Sequence, residues 1–97
     1  MSDFDFLVLS LRADAEMQLG LYPRGDQPAE VQLPMARKMI DLLAMLQEKT
    51  KGNLLLEEQR NLDNTVTELR FRYLQAFEAE GKKAAEASKT AEAPANG

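Results

Sequence analysis

Cysteine and histidine are both missing from the 97 residues of this chain. Their absence removes disulfides, thiolate nucleophiles, the usual zinc ligand sets, and any histidine acting as acid, base or pH switch. No apolar run approaches the roughly 18 residues of a membrane span. The first residues, MSDFDF, place acids where a secretory signal carries basic side chains. These absences lead us to expect a cytoplasmic protein with no membrane partner, cofactor, metal or catalytic residue. Positive charge is also in short supply, with 12 basic against 16 acidic side chains and a net charge of −4. A net negative body is a poor starting point for holding phosphate backbones, so nucleic acid is not the expected partner.

An apolar fraction of 44% keeps the chain out of the disordered class. Its length allows one small domain, and small domains often complete their stability by oligomerising. The organising stretch is Leu33 to Leu54, LPMARKMIDLLAMLQEKTKGNL. Nine of the twelve residues from Met35 to Leu46 are apolar. On a helix, Arg37, Lys38 and Asp41 fall with Glu48 and Lys49 into one polar arc. Leu42, Met35, Leu46, Met39, Leu43, Ala36 and Ile40 fill an apolar arc too wide for a single neighbour. A second helix over 34–51 follows, with Pro34 in its first turn and Gly52 at its end.

Before it, Ser2 or Asp3 can cap a first helix over 3–19, which Gly20 and Pro23 terminate. This helix is apolar on two sides. Phe4, Leu7, Val8, Leu11, Ala15 and Leu19 make one stripe; Phe6, Leu9, Ala13 and Met17 make another. Arg12, Asp5 and Glu16 separate them on one flank. A helix with two apolar faces in so small a chain points to a subunit boundary. The Leu21–Gln32 segment, with Pro23, Gly25 and Pro28, reads as a loop, and its Arg24-Gly25-Asp26 tripeptide as a turn.

After a short link, a third helix is expected over 56–80, with the stripe Leu62, Val66, Leu69, Tyr73, Ala76 and Phe77. The link makes helices two and three an αα-hairpin. Phe71 and Leu74 lie off this stripe. Residues 82–97, rich in Ala, Lys and Glu without an apolar stripe, read as a disordered tail beyond a helical domain of residues 1–81.

The run Asp41 to Leu54, DLLAMLQEKTKGNL, resembles the signature of an uncharacterised bacterial family, domain of unknown function 1844. Ser10-Leu11, Leu19-Gly20, Glu57-Glu58 and Glu68-Leu69-Arg70 with Tyr73 match it in order. The resemblance implies a small cytoplasmic helical protein and carries over no catalytic residue. Members usually have Thr, often followed by Pro, where this chain has Leu55-Leu56. Thr at 55 with Glu58 would form a capping box.

The fold class we expect is therefore all-α: an αα-hairpin plus an N-terminal helix, assembled as a homodimeric helical bundle. The expected function is that of a non-enzymatic interaction or structural protein, with itself as partner and room for another protein. Phe6, Leu9, Met17, Met45, Phe71 and Leu74 are the candidate interface. The turn Lys49, Lys51, Gly52 and Asn53 is a candidate contact for a partner; its simpler reading is a helix stop whose lysines suit the helix dipole. An RNA- or ribosome-associated factor using Lys49, Lys51, Arg70 and Arg72 is the alternative. Arg37, Lys38 and Asp41 read as a solvated face with local ion pairs.

Overall fold

The computed structural model describes residues 1–23, 25–27 and 29–96, with side chains as far as residue 88. Arg24 of the Arg24-Gly25-Asp26 tripeptide and Pro28 of the same loop lie outside the described residues. The described residues form three helices: α1 (Asp3–Gln18), α2 (Leu33–Lys49) and α3 (Leu56–Asn96). The all-α expectation holds.

The first two helices begin and end for local reasons. Ser2 caps α1: its hydroxyl accepts from the Asp5 N–H at 3.1 Å, and its own N–H donates to Asp5 Oδ2 at 3.3 Å. This reciprocal pair satisfies two of the donors that a helix start leaves free. At the other end Gly20 takes φ +77, and a Cβ there would stand 2.7 Å from Val31 Cγ2, so only glycine lets the returning chain approach. Helix α2 opens with proline in its first turn and stops two residues sooner than expected. Thr50 Oγ1 donates to the Leu46 carbonyl at 2.6 Å, which takes an acceptor from the helix end. Gly52 then turns the chain at φ +81.

All three helices pack against one another, so none is central. Hydrogen bonds fix the directions. Ser2 to Glu58, Asp5 to Asn61 and Arg12 to Glu68 are each 56 positions apart, which makes α1 and α3 parallel and in constant register. Gln47 Nε2 donates to Asp63 Oδ1 near the turn, and Ile40 lies across from Tyr73 farther along, so α2 runs against α3 as the expected hairpin. The core between them is Val8, Ala15, Leu19, Ala36, Ile40, Leu43, Leu62, Val66 and Leu69, with Phe4, Leu11, Met39, Leu46, Leu54, Tyr73 and Ala76 packed around it.

Three expectations need correcting. Leu7, Met35 and Phe77, assigned to the inner faces, are 43%, 48% and 57% exposed. Thr65, which an apolar pattern passes over, is buried among α3's core residues. And α3 does not stop near Glu80: the segment read as a disordered tail continues as helix to Asn96. Ala, Lys and Glu are strong helix formers, and a single Gly81 lowers helix stability without ending the helix. The loop before α2 also lies against this continuation, with Gln27, Ala29, Glu30 and Val31 sharing a hollow with Glu80 and Lys83. From Lys82 to Ser88 every side chain is exposed.

Candidate functional site

The two seams that α3 makes with its neighbours differ in kind. Toward α1, the flank of Asp5, Arg12 and Glu16 meets Glu58, Asn61, Glu68 and Arg72. Glu58 joins the two helix starts: one oxygen accepts the Leu55 N–H at 2.9 Å, the other the Ser2 hydroxyl at 2.7 Å. The Asn61 amide donates to Asp5 Oδ1 at 3.1 Å. That bond, opposed by partial burial and helped by the Ser2 N–H, holds the Asp5 carboxyl below its ordinary value of 3.8. About two turns farther on, Arg12 Nη2 reaches Glu68 Oε2 at 2.9 Å, and Arg72 Nε lies 3.4 Å from Glu68 Oε1.

Toward α2 the seam is open. A groove of about 410 Å³ is lined by Arg37, Ile40, Asp41, Arg70, Tyr73 and Leu74. The ion pairs among the described residues are Arg12–Glu16, Arg12–Glu68 and Arg72–Glu68, so the local pairing expected of Arg37 and Asp41 does not form. Tyr73 stacks on Phe77, with ring centroids 6.3 Å apart, and carries the apolar lining onto the outside of α3. A second hollow of about 260 Å³ sits under the hairpin turn, lined among others by Glu48, Lys51, Gly52, Leu54 and Asp63. Lys51 and Gly52 of the candidate turn border it, and Lys49 and Asn53 stand exposed beside it. Asp41 and Tyr73 line one hollow and Glu48 the other, so these polar groups do not converge.

The six candidate interface residues are all on the surface: Phe6, Leu9, Met17, Met45, Phe71 and Leu74 are between 42% and 63% exposed. The fold does not gather them. Each helix turns its core side to the shared axis, so Phe6, Leu9 and Met17 leave from the back of α1, Met45 from the back of α2, and Phe71 and Leu74 from α3. Sequence reasoning missed Phe77 as part of this surface because its spacing from Tyr73 matches the inner stripe. The basic residues are scattered as well. Arg72 is held by Glu68, Arg70 borders the groove, and Lys49 and Lys51 stand at the turn. The Gln47–Asp63 register sets Lys49 and Arg70 about 14 Å apart along the bundle.

Most of the Asp41–Leu54 run is accounted for by folding. Leu43 is fully buried, Leu46 and Leu54 pack on the core, Gln47 bonds Asp63, Thr50 bonds Leu46, and Gly52 makes the turn. No helix among the described residues is long and apolar enough to cross a membrane.

Fold and surface together define an all-α, three-helix domain with a closed polar seam on one side of its longest helix and an open groove on the other. The sequence profile of a family described as a domain of unknown function, DUF1844, matches residues 1–75, and the chain belongs to that family. The match takes in α1, α2 and α3 as far as Gln75. No curated protein and no solved structure matches the chain.

Proposed function

We propose that the protein is a non-enzymatic interaction or structural protein that works as a homo-oligomer. What supports this reading is the apolar surface that remains once the core is filled: Phe6, Leu9, Met17, Met45, Phe71 and Leu74 all stay exposed. Single exposed apolar side chains are ordinary, but a row of two aromatics and a leucine beside a groove resembles the patches used for contact. The side chains of the family signature serve the hairpin, which fits a scaffold better than a reaction site.

Light scattering on the purified chain at micromolar concentration tests this. A mass of at least twice the 10.9 kDa of one chain is expected. A clean monomer over the whole accessible range would refute the reading.

A further inference from the structure

The outer side of α3 carries Phe71, Leu74 and Phe77, which are 61%, 58% and 57% exposed. Their spacing of three places them on one side of the helix, with Leu74 at the centre. The same side continues toward the N-terminus through Arg70, Thr67 and Asp63, and toward the C-terminus through Glu78, Gly81 and Ala85. All of these are exposed. Gly81 has no reason to be glycine in a lone chain. It sits inside a helix, where only proline is a poorer choice, its φ is not positive, and a Cβ on it meets nothing within 4 Å among the described residues.

Building on the homo-oligomer reading, we propose that this side of α3 is the docking surface for a second copy of the chain. The two α3 helices run antiparallel about a two-fold axis at Leu74. In that register Phe71 faces Phe77 of the second copy, Arg70 faces Glu78, Thr67 faces Gly81, and Asp63 faces Ala85. The charges select the direction. Arg70 and Glu78 take part in none of the ion pairs within the chain among the described residues. Antiparallel pairing joins them twice, once on each side of the axis. A parallel pairing would set Arg70 against Arg70 and Glu78 against Glu78.

The area argument points the same way. Three side chains of this size at these exposures supply roughly 300 Å², under half of the roughly 800 Å² per partner in a stable interface. The rest must come from their surroundings, and the antiparallel register provides it. The exposed residues 81–85 of one copy come to lie along residues 63–67 of the other, and the small Gly81 and Ala85 let the helices approach. The continuation of α3, which meets only the loop before α2 in one chain, thereby gains a further surface to cover.

The test is a charge exchange in the full-length chain, read by sedimentation equilibrium. Arg70→Glu and Glu78→Arg alone each set like charges in opposition and should weaken self-association about tenfold or more. The double variant restores the pair and should return the affinity to near that of the unaltered chain. Both positions are exposed, so circular dichroism of dilute samples should show an unchanged fold. If the unaltered chain associates but the single variants associate equally well, or the double variant fails to recover, this interface is wrong and the homo-oligomer reading survives. A chain that stays monomeric at every concentration overturns both.

Discussion

The α1–α3 seam and the α2–α3 seam share one helix and solve opposite problems. The first joins parallel helices whose starts lie side by side, where two sets of unsatisfied N–H groups and two like dipole ends would repel. Acids answer this: Asp5 and Glu58 each serve their own helix start, and both reach across, Glu58 to the Ser2 hydroxyl and Asp5 to the Asn61 amide. The second seam joins antiparallel helices whose dipoles already oppose, so it needs no such network. Its polar side chains are free to border a groove. A polar seam fixes register; an open one leaves surface for something else.

The largest expected effect comes from the core that both seams border. Leu43 is fully buried, and Leu43→Ala should cost about 2–5 kcal/mol in urea denaturation, weakening the two seams alike. A cost below about 1 kcal/mol would mean that the bundle collapses to fill the gap and that the seams, not the axis, hold it together.

The caps separate the seams next. Ser2→Ala removes the α1 cap and the bond to Glu58 together, and a loss of about 1 kcal/mol is expected. Leu55→Thr should do the reverse. The Leu55 carbonyl already accepts from Gln59 and its N–H donates to Glu58, so a hydroxyl there completes the missing half of the box. A gain of about 0.5–2 kcal/mol follows, read as a higher Tm. Because Leu55 is 69% exposed, a lower Tm would place it in a contact between chains.

The smallest effect is a pH dependence confined to the polar seam. The folded Asp5 carboxyl titrates below its ordinary value of 3.8, so its contribution is complete above that pH and is lost as the pH falls through the lower, folded value. Asn61→Ala removes the main cause of the shift. The variant should therefore lose less stability than the parent between pH 4 and the acid limit, and equal acid slopes would show that the bond does not persist in solution.

Much of this was legible in the chain. Gly20, Pro34 and Gly52 punctuate the helices through backbone conformations that few other residues adopt, so the ends could be placed within about two residues. The spacing of Leu62, Val66 and Leu69 gave the inner face of α3, and the exposure of Phe71 and Leu74 followed from their angle to it. Arg12, Asp5 and Glu16 were recognisable as a polar flank, but not as the flank that meets α3. Phe77 was misread because a helical wheel knows the angle of a side chain and not whether a neighbour reaches that far along the axis.

The sequence by itself determined the helices, the turn chemistry, the family and the excess of apolar surface, because capping, periodicity and glycine conformation act over a few residues. Tertiary structure alone decided that Ser2, Asp5 and Arg12 find partners 56 positions away, that α2 leaves a groove against α3, and that α3 outruns the bundle. Those outcomes depend on how three stripes settle against one another, a packing compromise that no single stripe encodes.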